Sequence, residues 1–382
     1  MAIPLVSIVI PTYNYAHFLP EAIQSVFDQT FSDYEIIIVD DGSTDETREI
    51  VKRYKNRIQY IYKQNSGPNN SRNVGILASK GKYISFLDAD DKWLPNRLSL
   101  QVPILEKNEN IGLVYATVIS FDTITNAYIN SFPTARCFRG NVLHELYMDQ
   151  FVSSPTLLIR RSVFTEVGMF DENRKYTDDW EMWLRIASKY QFDFVPQPLA
   201  LYRIHPSASS LQTSSYVARV NEMLSFFEIA AVRYPSLLPL KQKRISTFLE
   251  QMGWRLYQRG EKIMGRSYLK KALCTSWKRI MPYYRLLITY LYFSGINFEK
   301  YKKAEIYYMH GKFNLFNLNL DRARKMFFVS IRLNPVGRIH PYIGLFLTIL
   351  GEKIVCYARR RYGFDYLVES PEPSYSMSFT QW

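Results

Sequence analysis

The chain opens on apolar runs that alternate with helical spacings. Val6–Ile10 is a β-branched run stopped by Pro11, the pattern of a strand buried on both faces. Between Pro20 and Gln29 the apolar residues fall at positions 22, 23, 26 and 27, along one face of a helix. Glu35–Val39 predicts a second buried strand, closed by Asp40-Asp41-Gly42-Ser43. Thr44–Tyr54 predicts a helix with Ser43 or Thr44 at its N-cap, and Ile58–Tyr62 a third strand. Ser71–Lys80 predicts a helix ended by Gly81, and Lys82–Leu87 a fourth strand running into Asp88-Ala89-Asp90-Asp91. Such alternation specifies an α/β domain with a mostly parallel sheet. Further along, Gly112–Phe121, Leu157–Arg160, Phe192–Val195 and Ala200–Arg203 read as strands. Asp179–Tyr190 reads as an amphipathic helix carrying Trp180, Trp183, Leu184 and Ile186.

A Ser/Thr-rich stretch at Ser207–Ser215 sets the expected boundary, giving an α/β domain over 1–212. The pattern beyond it is helical and predicts an all-α domain over 213–365, then a Pro/Ser-rich tail over 366–382 expected to be disordered. Leu249–Trp277 and Tyr307–Pro335 each resemble a tetratricopeptide helix pair, but not at the 34-residue period of a regular array. The net charge of +13 is uneven: residues 1–212 hold 21 Lys+Arg against 24 Asp+Glu, and residues 213–382 hold 27 against 11. Cys137, Cys274 and Cys356 match neither a disulfide framework nor a zinc spacing, so a reducing cytoplasm is expected. Met1-Ala2-Ile3-Pro4 has no basic region followed by an apolar stretch, so no signal peptide is expected from it. No stretch reaches the roughly 18 apolar residues of a spanning helix.

In parallel sheets ligands bind beyond the carboxyl ends of the strands. Three of these ends carry polar clusters: Pro11-Thr12-Tyr13-Asn14, Asp40–Asp45 and Asp88–Asp91. An Asp-x-Asp at a strand end can hold Mg²⁺ or Mn²⁺ with positions left for phosphate oxygens. The same acids would also suit a turn and a helix cap. The acids of Asp40–Asp45 can accept hydrogen bonds from a base N–H or a ribose hydroxyl, or can build an Asx-turn. Arg72 stands in the first turn of its expected helix, where a cation gains nothing from the dipole, so it is either a diphosphate contact or a surface ion pair. Asp178 and Asp179 open the Trp180/Trp183 helix; they either cap it or take a proton from an acceptor hydroxyl.

Taken in order, these pieces resemble the family 2 glycosyltransferases of the GT-A fold over residues 6–205. The matching segments are Val6–Asn14, Val39–Asp45, Asn65 to Gly75 with Arg72, Phe86–Asp91, Val167–Asp171, Asp178-Asp179-Trp180 and Tyr202-Arg203-x-His205. The resemblance implies an inverting, metal-dependent enzyme that moves a sugar from a nucleotide-diphosphate sugar to an acceptor hydroxyl. It implies that Pro11, Thr12, Tyr13, Asp40 and Asp41 line the base and ribose pocket, and that Arg72 approaches the donor. It implies that Asp88 meets ribose or metal, that Asp90 binds Mn²⁺ or Mg²⁺, and that His205 completes that site. Asp179 would be the general base. Asp178 stands where the family often has Glu, which leaves open which acid is the base. UDP is the default nucleotide, with dTDP and GDP open.

The rivals fare worse. A nucleotidyltransferase or a dinucleotide-binding dehydrogenase would carry a Gly-rich loop after the first strand, where Pro11-Thr12-Tyr13-Asn14 stands. A processive membrane synthase would need spanning helices and a Gln-x-x-Arg-Trp motif. The remaining alternative is a non-catalytic scaffold with a degenerate transferase domain and a helical partner-binding domain. In the basic half, Leu286–Phe293 and Tyr342–Leu350 lie near cations such as Arg285 and Arg359-Arg360-Arg361. Such pieces suit an anionic membrane surface on the cytoplasmic face, each nearby cation adding about 1 kcal/mol. A lipid-linked or glycan acceptor would be met there. A soluble domain with its apolar stripes packed together is the other reading. No nucleic-acid partner is expected, since no binding motif is present.

Overall fold

The computed structural model describes residues 3–54, 56–123, 128–132, 137–205 and 216–276. Its first part alternates: β1 (Val6–Thr12), α1 (Leu19–Phe27), β2 (Tyr34–Asp40), α2 (Thr47–Lys52), β3 (Gln59–Tyr62), α3 (Pro68–Ala78) and β4 (Tyr83–Phe86). There follow β5 (Lys92–Trp93), α4 (Arg97–Lys107), β6 (Ile111–Asp122), β7 (Tyr128–Phe132), α5 (Leu143–Met148), β8 (Leu158–Arg160) and α6 (Arg161–Val167). Then come α7 (Asp178–Ala187), β9 (Gln191–Ile204), α8 (Tyr216–Arg233), α9 (Leu238–Gln258) and α10 (Lys262–Thr275). The strands run in the order β3-β2-β1-β4-β8-β6-β9-β5, with β7 beside β6. The β3-β2-β1-β4 half is parallel throughout, and β8 joins it antiparallel.

Side-chain alternation along the strands divides the core between two faces. Val6, Ile8 and Ile10 of β1 and Ile36 and Ile38 of β2 share one buried cluster with α1, α2 and α4. Val9 points the other way, against α3, where a Cβ on Gly75 would lie 2.2 Å from its Cγ1. That contact needs glycine, and it seats α3 close on the sheet with Arg72 one turn before it.

Three local expectations are corrected. Ser43 does not cap α2: its hydroxyl accepts the Asn14 N–H at 2.9 Å, and Asp45 accepts the Thr47 N–H at 3.1 Å instead. Gly81 does not end α3, which stops at Ala78; it is the close approach of its loop to β1, where a Cβ would lie 2.6 Å from Ser7 N. Phe192–Val195 and Ala200–Arg203 belong to one strand, β9, whose pairing with β6 shifts register where Pro196 and Pro198 fall.

By contacts the chain divides into residues 1–245 and residues 246–382. Within the first unit, Trp180 of α7 packs on Phe226 and Phe227 of α8, and the Tyr147 hydroxyl donates to the Phe227 carbonyl at 3.0 Å. In the second unit, Gly253 and Gly265 meet backbone to backbone: a Cβ on either would come within 2.8 Å of the other's carbonyl oxygen. The expected boundary at 207–215, the Tyr307–Pro335 pattern, the apolar pieces at 286–293 and 342–350 and the tail lie outside the described residues. Among the described residues no helix is long and apolar enough to cross a membrane.

Candidate active site

The loops after β1 and β2 are stitched together by their polar residues. Asp40 is fully buried; it accepts the Ser43 N–H at 2.8 Å on one oxygen and the Tyr60 hydroxyl at 2.6 Å on the other. Burial, then the bond to Asp40, pushes the Tyr60 phenol above its ordinary range. Asp41 pairs with Lys63 and accepts the N–H groups of Ser66 at 2.9 Å and Gly67 at 2.8 Å. Asn14, at φ 55°, accepts the Thr44 N–H at 2.8 Å, and Asp45 accepts the Ala16 N–H at 2.9 Å. Pro11 and Thr12 are buried, and the Thr12 hydroxyl has no hydrogen-bond partner among the described residues. Tyr13 is exposed. Asp40 and Asp41 therefore shape these loops with their own carboxylates, and Tyr13 supplies an open aromatic surface beside them.

Arg72 gathers the acids. Its guanidinium lies 3.3 Å from Asp88, 3.4 Å from Asp178 and 3.7 Å from Asp179, and it donates to the Asn69 side chain at 3.2 Å. Burial works against its charge, but Asp179, Asp88 and Asp178 together hold it above its ordinary value. Desolvation raises Asp88, Arg72 pulls it back, and Asp90 and Asp179 raise it again; the net shift is upward. Asp178 is pushed up to about 7, by burial first and by the adjacent Asp179 second, against the pull of Arg72. The Ser154 hydroxyl donates to Asp179 Oδ2, the oxygen that does not face Arg72.

Asp90 and His205 form a second pair. The imidazole Nε2 lies 3.0 Å from the Asp90 carboxylate, and its buried ring meets Phe18 edge-on at 4.7 Å. Two residues earlier on β9, Arg203 donates from Nε to the Asp90 carbonyl at 2.6 Å and from its backbone N–H to Asp91 at 2.8 Å. Glu21 holds the far end of that guanidinium at 3.0 Å. Burial, then Asp90 and Asp88, raises Asp91 well above the carboxylate range. Among the described residues no three His, Cys, Asp or Glu side chains converge on one point. The Asp90 carboxylate fits Mn²⁺ or Mg²⁺, either of which fills much of its shell with water and phosphate; an imidazole such as His205 suits Mn²⁺ better than the harder Mg²⁺. Asp88 is paired with Arg72, and Asp90 is among the charges that raise it.

Sequence reasoning missed several residues that frame the site. Asn73 exchanges two hydrogen bonds with Phe170, both at 2.9 Å, and Asn69 donates to the Arg174 carbonyl at 2.9 Å. Their four-residue spacing on α3 is the signal that could have shown a common face. Arg203 stands in the Tyr202-Arg203-x-His205 motif, though no role was expected of it; Ser154 and Glu222 carry no comparable signal.

A sheet of this order, with its acids gathered at the carboxyl ends and helices following, defines a GT-A type domain. The family model described as glycosyl transferase family 2 matches residues 7–168. The chain is 31% identical over 307 residues to the protein named uncharacterized glycosyltransferase RP339 of Rickettsia prowazekii, covering 77% of this chain and 93% of that one. It is 37% identical over 213 residues to uncharacterized glycosyltransferase RT0329 of Rickettsia typhi, covering 54% of this chain and 66% of that one. The mannosyltransferase PcManGT of Pyrobaculum calidifontis, solved in complex with GDP-Man and Mn²⁺, shares the fold at a TM-score of 0.50 and 16% identity, over 72% of this chain and 76% of that chain. The chain belongs to the family 2 glycosyltransferases.

Proposed function

We propose that the protein transfers a sugar from a nucleotide-diphosphate sugar to an acceptor hydroxyl, with inversion, in the synthesis of a cell-surface polysaccharide or glycolipid. The observation that carries this reading is the gathering of Asp88, Asp178 and Asp179 around Arg72. PcManGT, with the same fold, was solved with a nucleotide sugar and Mn²⁺, which supports a donor of that class here. UDP is the first nucleotide to test, then GDP and dTDP. Tyr13 and the Asp40–Asp41 loops bound the nucleotide pocket.

A divalent cation held by Asp90 and His205 would offset the charge that develops on the departing diphosphate, several kcal/mol of barrier. Asp179 takes the proton of the acceptor hydroxyl as its oxygen bonds to the anomeric carbon and the carbon–phosphate oxygen bond breaks. The nucleoside diphosphate leaves with the bonding pair. Ser154 fixes one oxygen of the base and Arg72 steadies the other. Asp178 is the alternative base. The acceptor is a glycan or a lipid-linked sugar, and the basic half brings the chain to the anionic cytoplasmic face where the lipid would lie.

The test is a panel of nucleotide sugars assayed for released nucleoside diphosphate, with Mn²⁺, with Mg²⁺ and with chelator. One donor should be turned over only with metal, and Asp90→Asn should abolish that turnover. Release from no donor under any condition would favour the scaffold reading.

A further inference from the structure

Asp178 and Asp179 open α7, and the loop before them is held by a side chain from beyond the segment that the family model matches. Glu222, on α8, accepts with one carboxylate oxygen from the N–H groups of Tyr176 at 2.8 Å, Thr177 at 3.0 Å and Lys175 at 3.2 Å. The Thr177 hydroxyl donates to the same oxygen at 2.9 Å. These N–H groups lie just outside the first turn of α7, where no carbonyl of the helix can reach them. From the other side the loop is gripped by Asn69 and Asn73 of α3, the helix that carries Arg72. The loop is thus clamped between the helix that supplies the guanidinium and the helix that supplies Glu222. Trp180 on Phe226 and Phe227 keeps α8 in place independently of the carboxylate.

We propose that Glu222 is a positioning residue of the transfer reaction: it fixes the start of α7 so that Asp178 and Asp179 stay within reach of Arg72 and the acceptor. This rests on the reading of those acids given above. Without Glu222 three amides turn to water and the start of α7 is free to drift. The Glu222 carboxylate bonds to residues 175–177 and not to the loops after β1 and β2, which the proposed function assigns to the nucleotide. The loss falls on the chemical step and spares donor binding.

The experiment compares the full chain with Glu222→Ala and Glu222→Gln. Amide hydrogen exchange at 175–177 is followed without substrate. Binding of UDP and GDP is measured in Mn²⁺, and kcat and KM with the donor that wild type uses best. Glu222→Ala should speed exchange at those amides and lower kcat about 10- to 100-fold, the cost of a misplacement of roughly 1 Å, with KM and nucleotide affinity within about threefold. Glu222→Gln keeps an acceptor oxygen and should hold kcat within about threefold of wild type. Unchanged kcat in Glu222→Ala, an equal loss in both variants, or loss of nucleotide binding together with kcat would overturn the assignment. A wild type that turns over no donor sinks the transferase reading and this inference with it. An active wild type with an unaffected Glu222→Ala sinks the inference alone.

Discussion

Two aspartate pairs, one at the end of β2 and one at the start of α7, have surroundings that differ in kind. Asp40 and Asp41 follow β2, and each of their carboxylate oxygens accepts a hydrogen bond from the Ser43, Ser66 and Gly67 backbone, from Tyr60 or from Lys63. Asp178 and Asp179 open α7 and share one guanidinium with Asp88, at 3.4 and 3.7 Å. The first pair accepts hydrogen bonds that hold the loops after β2 and β3. The second is crowded: burial first and the adjacent Asp179 second make the charge on Asp178 costly, against the pull of Arg72. Identical dipeptides thus sit in different surroundings, and hydrogen-bond accounting separates them.

The sharpest way to break the comparison is to remove the ionisable oxygen from each pair in turn. Asp179→Asn keeps shape and loses the base. Turnover should fall about 10²- to 10⁴-fold, the usual contribution of a positioned general base, with nucleotide affinity nearly unchanged. Steady-state kinetics beside nucleotide titration reads this. If Asp178→Asn gives that pattern and Asp179→Asn does not, the two acids exchange roles.

At the other pair the same logic predicts a structural loss. Asp41→Ala leaves the Ser66 and Gly67 N–H groups and the Lys63 ammonium without their acceptor. The side chain of Asp41 is only 6% exposed, so water replaces it poorly. Denaturant unfolding should show a loss of about 2–4 kcal/mol. A variant of wild-type stability that fails to bind nucleotide would instead make Asp41 a direct donor contact.

β1, β2 and β4 were legible because they are short apolar runs ended by polar clusters, and Arg72, Asp90, Asp178, Asp179 and His205 stood in recognisable motifs. Other parts were hidden for physical reasons. The buried face of α4 mixes Leu98, Val102 and Leu105 with Arg97 and Gln101, and Pro103 lies inside the helix, so the pattern does not read as amphipathic. Arg97 is fully buried because it stacks on Trp93 and donates to the Ser85 hydroxyl and the Leu157 carbonyl, partners far away in sequence. Pro196 and Pro198 broke β9 in two on paper, while the shifted register against β6 absorbs them in the fold. Glu222 looks like any solvated helix glutamate until α8 is placed beside the loop at 175–177.

The smallest expected effect is a pH dependence confined to one pair. In the folded chain Asp178 keeps its proton up to about pH 7, because burial and Asp179 oppose its charge. In the unfolded chain it releases the proton near pH 4. Below about pH 4 both states carry the proton, and the group's full stabilising contribution is present. Between about pH 4 and pH 7 the folded state binds more protons than the unfolded one, so this contribution falls as pH rises and is gone above the folded value. Asn has no proton to lose, so Asp178→Asn removes that window and leaves the other carboxylates in place. Wild type and variant should be similarly stable near pH 4.5, and the variant should gain about 1–3 kcal/mol over wild type by pH 8. Urea unfolding of both proteins across that range measures the gap. A gap that stays constant with pH would mean that burial and Asp179 do not hold the proton on Asp178, and the contrast between the two pairs would rest on their hydrogen bonds alone.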